Sequence, residues 1–308
     1  MSPARLLDRL GGPVYYGALR ALGVPAVSRR IRDAGLILCY HNVVSGEASP
    51  HGEPGLHVPR ERFAWQMRWL ADHYTLVSLG EFADRLAAGG PLRWVAAVTF
   101  DDGYAGVFEH ALPILRELRV PATVFLVARA AGRRSGFWWD RPEIVAAATP
   151  PRREAWLNDL RGDARAILAR DGAASSGRLP PSYRPAPWST VRAHRGRGVS
   201  FGVHSATHRS LPTLNDGELE YEVAASRSML EQAVGGPCEF FAYPYGHWDA
   251  RVRARLRAAG YRAAVSLDFG LNGRSADPWS LRRVSIPAGI SEAGFQAWTA
   301  GVRAPGRA

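Results

Sequence analysis

The sequence predicts an α/β fold built on parallel strands, and three observations carry that expectation. Short apolar runs alternate with segments of helical periodicity, the order produced when each strand is followed by a crossover helix. Four of the runs end on polar residues suited to metal or proton chemistry, and in barrels and open sheets of parallel strands the active site lies at the strands' carboxyl ends. The 308 residues are 46% hydrophobic, enough for one large core, so a single catalytic domain with decorations is expected.

Residues 1–35 read as an accessory helical segment. Their apolar stretches are broken by Asp8, Gly11-Gly12-Pro13, Arg20 and Pro25, so they lack the apolar region of a secretory signal. No segment reaches the roughly 18 consecutive apolar residues of a membrane span. Cytoplasmic residence is the default. Two fates are open to residues 3–32: an amphipathic, arginine-flanked helix in peripheral contact with a membrane, or a helix packed on the domain.

The catalytic domain is assigned to residues 36–290. Its first apolar run, 36–40, leads to His41, and the run 95–100 leads to Asp101 and Asp102. Val107, Phe108, Leu112 and Leu115 then recur at helical spacing, with Pro113 as a kink, before the strand-like run 122–127. Residues 130–195 break the rhythm. They are rich in Arg, Pro, Gly and Ser, with helical patterning only between Ile144 and Leu168, and read as an insertion over the strand ends. The run 199–203 leads to His204 and His208. Asn215 with Glu218 forms a capping box, Leu219, Val223 and Leu230 an apolar stripe, and Gly235-Gly236 a helix stop. The run 238–242 leads to Tyr243-Pro244-Tyr245-Gly246, an arginine-rich helix follows over 248–259, and 261–267 reads as another strand. Residues 291–308 are left as a C-terminal helix and tail, frayed after Gly301.

Composition excludes several chemistries. All 39 basic residues are Arg, so a Schiff-base lysine, a P-loop lysine and a Ser-Lys pair are ruled out. The net charge of +11 favours acidic partners, but arginines scattered over a solvated surface are the better account of it, and no nucleic-acid-binding motif accompanies it. Cys39 and Cys238 sit inside apolar runs and give no disulfide framework.

Asp101 and Asp102 are adjacent at a strand end, where successive side chains diverge, so one can hold a metal while the other faces substrate. In isolation Asp-Asp-Gly is as well read as an ordinary turn. His204 and His208 have the i,i+4 spacing that brings two imidazoles onto one ion if the segment makes a helical turn.

The set Thr99-Phe100-Asp101-Asp102-Gly103-Tyr104, His204-Ser205-Ala206-Thr207-His208 and Tyr243-Pro244-Tyr245-Gly246 resembles the polysaccharide deacetylases, the NodB-homology or carbohydrate esterase family 4 group, over about residues 36–287. That resemblance implies a distorted (β/α) barrel and metal-assisted hydrolysis of an N-acetyl group on a sugar. It implies Asp102, His204 and His208 as ligands of one divalent ion, zinc foremost, with cobalt, nickel or iron as alternatives. It makes Asp101 the general base, and the metal and the Tyr245 backbone N–H the oxyanion stabilisers. Ser205 and Thr207 either hydrogen-bond the histidine loop or are surface hydroxyls.

The chain departs from the best-known members at two places. Ala242 stands where they carry an Arg beside the base, and Ser285-Ile286-Pro287 stands where they carry an acid His. Residues 38–43 resemble the N-terminal segment of a permuted branch, so His41 is taken as the general acid. Arg283 is the candidate to replace the missing Arg, with a surface ion pair as the equal alternative. Trp138 and Trp139, in Phe137-Trp138-Trp139-Asp140, are read with Tyr243 as substrate-binding residues, lid packing being at least as good an account of the tryptophans. His51, His57, His73, His110, His194 and His247 match no ligand spacing and are treated as solvated or structural. The expected function is removal of N-acetyl groups from an N-acetylhexosamine-containing glycan. An O-acetyl esterase and a catalytically silent glycan-binding protein are the alternatives, and the oligomeric state is not readable.

Overall fold

A computed structural model describes residues 3–46, 51–133, 135–172 and 179–304. Its strands are β1 (Ala34–Tyr40), β2 (Asn42–Val44), β3 (His57–Pro59), β4 (Thr75–Leu76), β5 (Val95–Phe100), β6 (Ala122–Leu126), β7 (Val199–Val203), β8 (Phe240–Ala242), β9 (Ala263–Val265), β10 (Asn272–Gly273) and β11 (Val284–Ser285). The main sheet runs β10-β1-β5-β6-β7-β8-β9, with β4 beside β5 and β11 beside β1. Every pairing in it is parallel except β10 with β1. β1 and β5 are buried on both faces, which is why they read as unbroken apolar runs.

One short segment curls the sheet toward closure. Leu281 bridges to Val265 of β9, and three residues later Val284 pairs with Leu38 of β1. The fold is thus the α/β barrel type, distorted and closed by an irregular strand.

Side chains alternate between two cores. Leu36, Leu38, Ala96, Val98 and Phe100 face the outer helices, including Phe63 and Met67 of the helix Arg60–His73. Ile37, Ala97, Phe125, Ala242, Val265 and Leu281 line the narrow interior, which the helix Leu79–Ala87 closes at one end through Phe82 and Leu86.

The helices carry the expected signals with informative deviations. Around Pro113, which has no N–H to give, the kink is a wide π-helical turn over Val107–Ala111, and Leu112 N–H reaches back to the Val107 carbonyl. The Asn215–Glu218 capping box forms with both of its hydrogen bonds. The same helix widens over Tyr221–Ala225, where the Ser226 hydroxyl bonds back to the carbonyls of Glu222 and Val223.

The N-terminal segment forms two helices, Pro3–Ala21 and Val24–Ile31, broken at Gly23 (φ 71°). They pack on the helix Glu292–Thr299: the Tyr16 hydroxyl accepts from Trp298 Nε1 at 2.8 Å, and the Ser28 hydroxyl donates to the Ala300 carbonyl at 2.8 Å. The chain after Gly301 is not frayed as far as residue 304, since Ala304 N–H bonds the Tyr16 hydroxyl; residues 305–308 lie outside the described residues.

The insertion supplies the helices Pro142–Ala147, Pro150–Asn158 and Ala164–Asp171 around a small core of Trp138, Ile144, Trp156 and Ile167. Residues 134 and 173–178 of it fall outside the described residues.

Both cysteines are free and fully buried. Burial pushes both thiols up, Cys238 to about 12, so neither carries appreciable thiolate. Neither thiol is therefore expected to react with an aromatic disulfide reagent at mildly alkaline pH in the folded protein. Both should react once the chain is unfolded in denaturant, and absorbance titration reads the difference.

Candidate active site

The site starts with a turn. β5 hands over to Asp101, whose N–H still reaches the Tyr40 carbonyl at 2.9 Å, and the backbone then turns left-handed at Asp102 (φ 69°) and Gly103 (φ 74°). A side chain at Gly103 would meet the Leu126 side chain at 2.5 Å, so the turn is open only to glycine there. Asp-Asp-Gly is therefore a turn, but one with both carboxylates buried and sent to different partners.

Asp101 points into the barrel interior. Arg283 meets it with two parallel bonds, Nη1 to Oδ1 at 2.8 Å and Nη2 to Oδ2 at 2.7 Å. The guanidinium also donates through Nε to the Ser266 carbonyl at 2.8 Å and through Nη1 to Thr99 Oγ1 at 3.2 Å. Arg283 is 0% exposed, which overturns the surface-ion-pair alternative. Burial alone would raise the Asp101 carboxyl, but Arg283, with His204 and His41, outweighs it and holds the group well below the usual carboxylate range.

Asp102 faces the histidines. Its Oδ1 lies 3.5 Å from His204 Nε2 and 3.3 Å from His208 Nε2, and the two ring nitrogens are 3.0 Å apart. His204 Nδ1 donates to the Ala242 carbonyl at 2.8 Å, which leaves Nε2 of the neutral ring with its lone pair toward Asp102. Asp102 Oδ1 has no hydrogen-bond donor, and burial, then the charges of Asp101 and Asp140, push the Asp102 carboxyl up. A buried carboxylate oxygen without a donor, facing two imidazole nitrogens within 4.8 Å, is a donor set that fits a divalent cation.

The imidazoles converge, but not by the helical turn that their spacing suggests. Residues 204–208 form a loop with Ser205 (φ 62°) and His208 (φ 66°) left-handed. Ser205 Oγ accepts the His208 N–H at 2.9 Å, so Ser205 belongs to the loop rather than the surface. The buried Glu222 carboxylate accepts from Ala206 N and Thr207 N, each at 2.9 Å, and from the Thr207 hydroxyl. Sequence reasoning missed Glu222. The signal was present: it lies three residues after Leu219 and four before Ser226, an acid on the buried stripe of its helix.

Asp101, Asp102, His204 and His208 floor a pocket of about 360 Å³ that also exposes His41, Tyr245 and His247, so His247 is not simply solvated. Burial lowers His41 to about 4 even though the Asp101 charge raises it, so the imidazole is neutral at pH 7 and is not a standing acid. Tyr245, left-handed at φ 59°, sets its ring edge-on to His208 with centroids 4.5 Å apart and donates its hydroxyl to the His208 carbonyl at 3.0 Å.

The insertion forms the pocket's apolar wall through Trp138, Trp139, Ile144 and Trp156. Trp139 stacks on Phe137, approaches His208 to 4.6 Å between centroids, and donates Nε1 to the Tyr104 hydroxyl at 2.8 Å. Behind it, buried Asp140 accepts from Tyr104 at 2.6 Å, His57 Nε2 at 2.9 Å and Glu53 N at 3.0 Å. Because Asp140 takes the Nε2 proton, His57 Nδ1 accepts from Asn42 Nδ2 at 3.0 Å, a structural role for His57. Tyr243 is the misplaced candidate. It is fully buried in the outer core, its hydroxyl donates to the Trp279 carbonyl at 2.7 Å, and it does not line the pocket.

Comparison with known proteins gives a consistent result. The family model described as polysaccharide deacetylase matches residues 90–264, more than half of the chain. YxkH of Bacillus subtilis (strain 168), which bears the name of polysaccharide deacetylase, is 21% identical over 264 residues, covering 85% of this chain and 75% of that protein. Among solved structures, IcaB from Ammonifex degensii superposes with a TM-score of 0.62 at 21% identity, covering 88% of this chain and 98% of that one. A de-N-acetylase from Aggregatibacter actinomycetemcomitans superposes with a TM-score of 0.61 at 18% identity, covering 86% and 100%.

The Glu222 contacts give a direct test of the loop. Glu222→Ala would remove the acceptor of the buried Ala206 N–H and of the half-buried Thr207 N–H and is expected to cost about 1–3 kcal/mol in denaturant unfolding. Glu222→Gln, which keeps one acceptor oxygen, should cost less.

Proposed function

The chain belongs to the polysaccharide deacetylase family, and on that premise we propose that it is a metal-dependent hydrolase removing N-acetyl groups from N-acetylhexosamine units of a glycan. The observation that carries the reading is that Asp101, gripped from behind by buried Arg283, lines the pocket where Asp102, His204 and His208 converge. Asp102, His204 and His208 would hold the cation, with zinc the first expectation from a carboxylate and two imidazoles. When bound, a divalent cation supplies Lewis-acid polarisation of the acetyl group and of water.

The remaining steps fall to the chain's own residues. Asp101, kept ionised by Arg283, accepts a proton from the water that attacks the acetyl carbon, while Arg283 fixes the carboxylate's orientation. The Tyr245 backbone N–H is assigned to the developing oxyanion. An amine leaves only after its nitrogen gains a proton, so the proton taken from water must reach that nitrogen as the C–N bond breaks. His41, neutral at rest on the pocket wall, is assigned to carry it. The products are acetate and a free amino sugar, and Trp138 and Trp139 are assigned to the sugar ring. The de-N-acetylase that shares the fold agrees with an N-acetyl target.

The resting neutrality of His41 favours one second reading, an O-acetyl esterase, because an alkoxide depends less on prior protonation than an amide nitrogen does. His41→Ala separates the two. With N-acetylated oligosaccharides, kcat for acetate release is expected to fall about 10²–10⁴-fold with KM little changed. If the parent releases acetate from O-acetylated sugars alone and His41→Ala is unaffected, the esterase reading replaces the first.

Elemental analysis tests the cation. Purified protein is expected to hold about one equivalent of zinc, cobalt, nickel or iron, and His204→Ala to lose it. No metal in the parent after reconstitution would overturn the proposed function.

A further inference from the structure

We propose that the solvent face of the N-terminal helical pair docks on an anionic lipid bilayer. Exposed apolar side chains are concentrated there. Of the seven large hydrophobic residues exposed among the described residues, five lie between residues 14 and 31, and they include Leu22 (77% exposed), Val27 (55%) and Ile31 (70%). Val27 and Ile31 stand four residues apart on one face of the helix Val24–Ile31, and Leu22 sits at the turn before it. The helix's opposite face is committed: Pro25 and Ser28 are buried, and the Arg29 guanidinium lies over the Trp69 ring at 5.0 Å.

Charge identifies the occupant. Residues 12–32 carry no acidic residue, and with Arg29 committed to Trp69 their exposed arginines are Arg20, Arg30 and Arg32. Compensation is slight: Glu292 is 3.9 Å from Arg20 with both side chains more than half exposed, and Asp33, next in the chain, is paired with Arg274 at 2.6 Å. Arg29 and Arg32 share a shallow hollow with Trp94, which is 47% exposed and held left-handed at φ 59°. Isolated apolar side chains flanked by arginines, with an aromatic ring at the rim, match the headgroup boundary of a bilayer with negative lipids. A protein partner of stable affinity needs roughly 800 Å² of complementary surface on each side, which a few separated side chains do not supply. No helix among the described residues is long and apolar enough to cross a membrane, so the contact is interfacial.

The topology sets the orientation. The helical pair leads into the start of β1 and Trp94 into the start of β5, whereas His41, Asp101 and Asp102 follow the other ends of those strands. Strands of six or seven residues span about 20 Å, so docking leaves the pocket turned away from the lipid, toward glycan approached from the aqueous side.

The test is cosedimentation with sucrose-loaded vesicles of phosphatidylglycerol and phosphatidylcholine, against vesicles of phosphatidylcholine alone. The parent is expected to bind the anionic vesicles at least tenfold more tightly and to be released by salt. Combined Leu22→Asp, Val27→Asp and Ile31→Asp should lose at least tenfold in binding while keeping the parent's metal content. Arg30→Gln with Arg32→Gln, which leaves the helix packing alone, should weaken binding and flatten its salt dependence. Equal sedimentation with both vesicles, or none, would overturn the proposal. So would light scattering that shows a dimer dissociated by the aspartate substitutions, since the face would then join two copies of the chain.

Discussion

The bidentate pair between Arg283 and Asp101 is the contact on which the site depends. Each buried charge costs several kcal/mol to desolvate, and the pair holds only because geometry and extra hydrogen bonds repay that cost. Here the repayment is structural. Arg283 lies between Leu281, which bridges to β9, and Val284, which pairs with β1, so the segment that closes the barrel also delivers the guanidinium to Asp101. The interior makes room through small residues: Ala97, Thr99 and Ala242 line it, and the hydrogen at Gly202 lets the Phe125 ring lie close, where a Cβ would meet it at 2.5 Å. Arg283 in turn sits over that ring. Removing either charge would leave its partner buried and unpaired, a larger loss than the pair's own net worth.

Two adjacent carboxylates thereby acquire opposite characters. Asp101 is ionised because a permanent cation touches both oxygens, whereas Asp102 is burdened by burial and by the charges of Asp101 and Asp140. At the left-handed turn of Asp102 and Gly103 the two side chains part, Asp101 to Arg283 and Asp102 to the histidines. The exchange of Arg for Ala at 242 also becomes intelligible. The Ala242 carbonyl fixes the His204 tautomer while Arg283, 41 positions later, grips the Asp101 carboxylate. Orientation of the Asp101 carboxylate and orientation of the His204 ring thus come from different segments.

How much of this was legible in the sequence depends on whether a feature is local. Runs ending on His41, Asp101–Asp102 and His204 marked the strand ends because buried parallel strands are apolar throughout. The capping box is local chemistry and formed as written. The i,i+4 histidine spacing was legible, but the loop that unites them was not, because Glu222 of another helix holds it through Ala206 N and Thr207 N, and Ser205 Oγ through His208 N. Tyr243 was misread through parity. It shares its face with Phe241 in the outer core, while Ala242 between them points inward, an alternation visible in the strand itself. The partnership of Arg283 with Asp101 was readable only through the family resemblance, since 182 residues separate them.

The insertion shows how a segment without rhythm in sequence is tied to the strand ends, at Trp139 and Asp140. Asp140 takes hydrogen bonds from Tyr104, just past the β5 turn, and from His57, which is locked in turn to Asn42, the neighbour of His41. The aromatic wall is therefore registered to the same two strand ends that carry His41 and the paired aspartates. Trp139, bonded to Tyr104 and stacked on Phe137, cannot drift from His208 without breaking this chain. An apolar wall so fixed keeps water from one side of the charged floor, and charges there interact more strongly than they would in bulk solvent. The polar network that builds the wall is thus also what sets the dielectric environment in which Asp101, Asp102 and the two histidines act.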